Sequence, residues 1–184
     1  MATVGDGLNQ AAQKAFTRPI PKTAPVQMRY LVKQLKGTKA AAAALGISQR
    51  TVERYIKGQI RKPRAELAGR LAGEVARRWQ PQVRAKAKKT AATSTGLVID
   101  TRARFGYTAA PGTTDDARLR HLTVALPPQY AGRLFAAQEA GATEQQLRDI
   151  AAEALQDVYF RDGGRRAGGL LVEFTDVEQV AFDL

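Results

Sequence analysis

The stretch Thr38–Gly58, TKAAAAALGISQRTVERYIKG, holds two short helical patterns separated by a glycine. Ala41, Leu45, Ile47, Val52 and Tyr55 are apolar at the five places where two crossed helices would close over a small core. Ala42 falls where the helices come nearest and only a small side chain fits. Gly46 ends the first pattern, at a turn that needs a residue tolerant of positive φ. Ser48 then stands where a hydroxyl can accept from a free N–H of the second helix. Three residues on, Thr51 replaces the Glu or Gln of a full capping box, so the cap is single-sided. This is the spacing of a helix-turn-helix. Its second helix turns Gln49, Arg50, Arg54 and Lys57 outward, with Glu53 on the same face able to accept from a cytosine amino group. Ala-rich helix pairs around a glycine also occur in proteins that never touch DNA. Agreement at every position, in basic surroundings, favours DNA.

The charge is divided unevenly. Residues 1–95 carry 20 Lys and Arg against 4 Asp and Glu, a net +16, whereas residues 96–184 carry 9 against 13, a net −4. One half suits a polyanion and the other does not, which predicts two modules with two partners. There is no cysteine, hence no disulfide and no thiolate chemistry; that fits a cytoplasmic protein. No window approaches the ~18 consecutive apolar residues of a membrane span.

Taken in order, residues 1–25 mix Gly, Gln, Thr and Pro and read as a flexible arm. Met28, Leu31, Val32 and Leu35 follow one helical face, and Gly37 closes that helix. After the helix-turn-helix, Pro63 is expected to open a further helix packed through Leu67, Leu71, Val75 and Trp79, with Pro81 stopping it. Trp79 reads as a core anchor rather than a base-stacking platform. Residues 26–81 thus form the DNA-binding domain, whose contacts with DNA would include Ser48, Gln49, Arg50, Thr51, Arg54, Lys57, Lys39, Arg61 and Lys62. Residues 82–95 have no large apolar face and carry Arg84, Lys86, Lys88 and Lys89; they read as a basic linker able to hold phosphates without reading sequence.

Residues 96–184 change character. Leu97–Tyr107 and Arg118–Leu126 read as extended segments joined by a turn-rich loop. Pro127 and Pro128 open a helix, Thr143 with Gln146 forms a capping box for a second, and Leu170–Thr175 reads as a last strand. The expected fold is a mainly α N-terminal helix-turn-helix domain followed by a smaller α+β C-terminal domain.

Catalytic constellations are thin. His121 is the only histidine, so a His-based metal site is excluded, and no Gly-rich phosphate loop with a following Lys occurs. No metal or cofactor is expected on this chain. Thr113 and Thr114 lie beside Asp115 and Asp116 on a Pro-Gly loop. They read either as the caps and turn residues of a loop or as a hydroxyl presented to a partner enzyme. A lone Thr hydroxyl is unreactive without a base or a metal.

The segments at Gly37–Gly58, 76–85 (ARRWQPQVRA), 101–118 (TRARFGYTAAPGTTDDAR), 126–148 (LPPQYAGRLFAAQEAGATEQQLR) and 158–170 (VYFRDGGRRAGGL) resemble the Streptomyces telomere terminal protein family. The resemblance covers most of residues 28–176. It implies a protein primer for the 5′ ends of linear chromosomes and plasmids. In that family a partner DNA polymerase joins dCMP to a threonine hydroxyl and the protein stays covalently attached. The matching hydroxyl is Thr114, with Thr113 as the alternative one residue away; the neighbouring Asp115 and Asp116, by their chemistry, read as carboxylates that orient the threonine or take its proton. Mg²⁺ and dCTP would reside in the polymerase. Implied partners are telomeric DNA, the DNA polymerase and a telomere-associated protein, with self-association as a further option, at replicon ends in the nucleoid. The rival reading is a helix-turn-helix transcriptional regulator with a C-terminal dimerisation or partner module.

Overall fold

The computed structural model describes residues 3–108, 118–161 and 171–184. The chain runs α1 (Val4–Lys14), α2 (Ala24–Gln34), α3 (Thr38–Leu45), α4 (Gln49–Ile56), α5 (Ala65–Arg78), α6 (Pro81–Thr90), β1 (Leu97–Thr108), β2 (Arg118–Leu126), α7 (Pro128–Glu139), α8 (Glu144–Leu155) and β3 (Leu171–Asp183). It divides into two compact units, one of residues 17–81 and one joining residues up to Phe16 to those from Gln82 onward. The fold class is the expected one, a helical helix-turn-helix unit and an α+β unit. With α1 and α6 added, the α+β unit is the longer of the two.

In the 17–81 unit, Met28, Leu31, Ala41, Leu45, Val52, Tyr55, Leu71 and Val75 form the buried core, with Leu35, Ile47, Leu67 and Trp79 packed at its margin. Trp79 lies 4.7 Å from the Tyr30 ring between centroids. Its indole N–H donates to the Arg18 carbonyl at 3.0 Å. The tryptophan therefore anchors packing, as its spacing predicts. Pro81 does two things. Before it, α5 ends at Arg78, with Trp79 extended and Gln80 at φ 42°, so the chain has left the α region where proline disfavours it, and Pro81 itself opens α6 with a ring already set for a first helical turn. At the other end α5 starts at Ala65 rather than at Pro63.

The other unit is built on an antiparallel sheet of order β2-β1-β3. Leu97 faces Leu126 and Phe105 faces Arg118 across β1 and β2. Leu97, Ile99, Ala103 and Phe105 alternate inward from β1, joined by Leu122, Val124 and Leu126 from β2. On β3 the register slips between Arg102 and Ala103 of β1, so Val177 and Val180 both reach the core despite their odd spacing. The opposite face is open. There Asp100 accepts hydrogen bonds from Thr123 Oγ1 at 2.8 Å and the His121 ring at 3.2 Å, which together hold its carboxyl below the ordinary range. His121 is a hydrogen-bonding strand residue.

α7 and α8 cover the sheet. Thr143 and Gln146 form the expected capping box. Arg133 on α7 meets both carboxylate oxygens of Glu153 on α8, at 2.8 and 2.6 Å. Beside this pair the Tyr130 hydroxyl donates to Asp157, and burial together with that carboxylate pushes its pKa up to about 12. A raised folded pKa means the hydroxyl ionises more readily in the unfolded chain. Its contribution to stability is thus whole below pH ~10 and lost as pH rises toward 12. In an ultraviolet titration one tyrosine is expected to ionise after the others, and Tyr130→Phe is expected to remove that late step.

Three sequence expectations are corrected. Residues 4–14 of the supposed flexible arm are α1, whose Val4, Leu8, Ala11 and Ala12 bury a narrow face against β3 and α8. The Glu144 carboxylate accepts from the N–H groups of Val4 at 2.7 Å and Gly5 at 3.2 Å, closing the positive end of the helix dipole. The supposed linker at 82–95 is α6 followed by a π-helical turn over Ala91–Thr95, with Ala91 buried. The last strand is Leu171–Asp183, much longer than Leu170–Thr175.

Candidate nucleic-acid interface

α3 and α4 meet through the residues that the motif requires. Ala41, Leu45 and Val52 are fully buried, Ala42 and Tyr55 nearly so. Gly46 has φ 61° and ψ 39°, and its turn lets the Ile47 N–H reach the Ala42 carbonyl at 3.0 Å. A side chain here would be strained, which is why the turn takes glycine. Ser48 is extended and its hydroxyl accepts from the Thr51 N–H at 3.2 Å, while the two hydroxyls lie 2.8 Å apart. Both predicted contacts are thus first of all the cap of α4.

The outward face of α4 presents Gln49, Arg50, Arg54 and Lys57, all exposed. Gln49 is held on both sides, its amide donating to Thr38 Oγ1 at 3.0 Å and to Glu53 Oε1 at 3.1 Å. That contact engages Glu53 with its own helix, away from the expected cytosine. Gln49 is instead hydrogen-bonded at both sides on that face, with Arg50 and Arg54 exposed beside it. Lys39, Arg61 and Lys62 are exposed on the same unit. Arg29, which reads from sequence as a phosphate contact, donates from Nε and a terminal nitrogen to the Ile56 carbonyl at 3.3 and 3.0 Å. It caps the C-terminal end of α4, where a cation complements the dipole.

The four basic residues assigned to a linker lie instead in the α+β unit. Lys88 pairs with Glu139 at 2.9 Å and stands 5.1 Å from the Phe135 ring centroid, so it belongs to packing. Arg84 is half-buried over Phe16, and burial lowers its pKa. Lys86 and Lys89 remain exposed. Thr113, Thr114, Asp115 and Asp116 lie outside the described residues. Among the described residues no cluster of three metal-ligating side chains occurs, and no helix is long and apolar enough to cross a membrane.

A double substitution of Arg50→Ala and Arg54→Ala leaves the core untouched. It is expected to weaken duplex binding by about 1–3 kcal/mol per lost base contact, with an unchanged melting temperature. Electrophoretic mobility shift alongside calorimetry checks both halves of that statement.

The family model for the helix-turn-helix matches residues 28–74, from within α2 to within α5. No curated protein and no solved structure matches the chain. The matched segment contains the whole of α3 and α4, and it makes the 17–81 unit a DNA-binding one.

Proposed function

We propose that the 17–81 unit seats the chain on the DNA of a linear replicon end and that Thr114, in the other unit, serves as a protein primer. The observation that carries the DNA-binding part is the outward face of α4, with Gln49 hydrogen-bonded to Thr38 and Glu53 and with Arg50 and Arg54 exposed to reach base edges. The priming part rests on the resemblance of residues 101–118 and 126–148 to telomere terminal proteins. It is consistent with the antiparallel pairing of β1 and β2, which hold the two ends of the Thr114 segment.

In the priming step the Thr114 oxygen attacks the α-phosphorus of dCTP in the partner polymerase. An O–P bond forms, pyrophosphate leaves, and the hydroxyl proton passes to a base or to solvent. Asp115 and Asp116 orient the threonine. The chain supplies the hydroxyl and its position, and the polymerase supplies Mg²⁺ and catalysis. Binding through α4 raises the local concentration of that hydroxyl at the DNA end. A telomere-associated protein on the overhang completes the set of partners.

The helix-turn-helix match by itself favours a second reading, a transcriptional regulator whose α+β unit dimerises or meets a partner. One experiment separates them: incubation of the full chain with a host DNA polymerase, an overhang template, Mg²⁺ and labelled dCTP. A primer becomes labelled, and Thr114→Ala abolishes the label while DNA binding persists. Label that persists in Thr114→Ala and vanishes in Thr113→Ala moves the site by one residue. No label with an active polymerase removes the primer reading and leaves the regulator.

A further inference from the structure

The start of α2 and the connection after α4 face each other across a groove of about 790 Å³ within the 17–81 unit. Every charged side chain lining it is a cation: Lys22, Arg29, Lys57, Arg61 and Lys62. Arg29 is engaged with the Ile56 carbonyl, whereas the other four are exposed and form no ion pair among the described residues. Like charges gathered around a concavity repel one another, and a polyanion relieves that repulsion.

The shape selects the kind of polyanion. A duplex is a broad rod that meets protruding elements such as α4, whereas a concavity ringed by cations suits the narrower, more flexible backbone of a single strand. Ala68 and Ala72 add apolar surface to its lining, and no aromatic side chain lines it. A strand is therefore gripped by its phosphates and not by stacked bases. The groove reaches the Lys57 end of α4, about 12 Å along the helix from Gln49 at a rise of about 1.5 Å per residue. We propose that this groove binds a single nucleic-acid strand through its phosphates, as a second contact that shares only Lys57 with the base-reading face of α4. The inference holds whether the chain primes synthesis or regulates transcription.

The test measures binding of the full chain to a short fluorescent oligothymidylate and, in parallel, to a duplex. The triple variant Lys22→Gln, Arg61→Gln, Lys62→Gln alters only exposed side chains. It is expected to lose about tenfold or more in oligothymidylate affinity and clearly less on the duplex. The slope of log affinity against log salt on the single strand should flatten by about 0.7 for each phosphate contact removed. Arg50→Ala with Arg54→Ala should show the reverse preference, losing the duplex and keeping the oligothymidylate. Unchanged oligothymidylate binding in the triple variant, or an equal loss on both substrates, overturns the proposal. Excess inorganic phosphate should compete weakly; competition equal to that of unlabelled strand would mean an isolated anion site and also overturns it. None of these outcomes bears on the labelling of Thr114, so the two proposals fail separately.

Discussion

A Gly96→Ala chain is expected to lose the α+β unit's cooperative melting while keeping most of its DNA affinity. Gly96 precedes β1 with φ 73° and ψ −154°, a region almost confined to glycine. A Cβ there would lie 2.2 Å from the Leu126 carbonyl oxygen. That oxygen is backbone, in the residue that pairs with Leu97 and leads into α7, so no side chain can rotate away. Backbone strain of about 1–3 kcal/mol adds to displacement of the β1–β2 ladder at its buried end. The sum should exceed ~4 kcal/mol, in the range where single substitutions become exceptional. Calorimetry should show the melting temperature falling by more than about 10 °C. The 17–81 unit has its own core, so mobility shift on duplex DNA should change far less. A melting temperature within about 2 °C of the parent would mean that the strand start adapts to a side chain.

Leu8→Ala is expected to cost about 2–5 kcal/mol, the usual range for emptying a closed core site. Leu8 has no exposed surface, and Ala is if anything the better helix former, so the loss would be one of packing. Were residues 1–25 a flexible arm, the same change would stay within ~0.5 kcal/mol. Urea denaturation of the two chains discriminates directly. Lys14, whose ammonium pairs with Asp183 at 3.1 Å on the surface, should matter little by comparison.

The contrast shows what kinds of structure are readable from residues. The helix-turn-helix was legible because its glycine, its cap and five apolar positions each answer a separate local demand. α6 was not, because PQVRAKAKKT forms a helix from Ala, Lys, Arg and Gln propensity with no buried residue of its own. α1 was missed for a tertiary reason. Gly7 is small because a Cβ there would come within 2.9 Å of the Phe182 ring, and a glycine inside a helix reads from sequence as a loop. The slip that lets β3 extend past Val177 depends on pairing with β1, which no local pattern encodes. At the interface, residue types were legible and their engagements were not: Arg29 caps α4, Lys88 packs on Phe135, and Gln49 and Glu53 hold each other.

The two units differ sharply in charge. Residues 17–81 carry 15 Lys and Arg against 3 Glu, and the rest of the chain carries 14 against 14. The whole net charge of +12 therefore resides on the DNA-binding unit. A steep salt dependence should belong to that unit, while the other is electrically balanced.

α1 belongs to a body most of which is encoded after the helix-turn-helix, and this sets an order in time. The 17–81 unit is one continuous stretch and can fold as soon as it leaves the ribosome. α1 is synthesised earlier yet must wait, because its Val4 N–H pairs with Glu144, 140 residues later, and its Lys14 ammonium with the Phe182 carbonyl, 168 residues later. Contacts of such separation close slowly. During synthesis the nascent chain therefore holds a folded DNA-binding unit while the α+β unit is still incomplete, so attachment to DNA can precede completion of the second body.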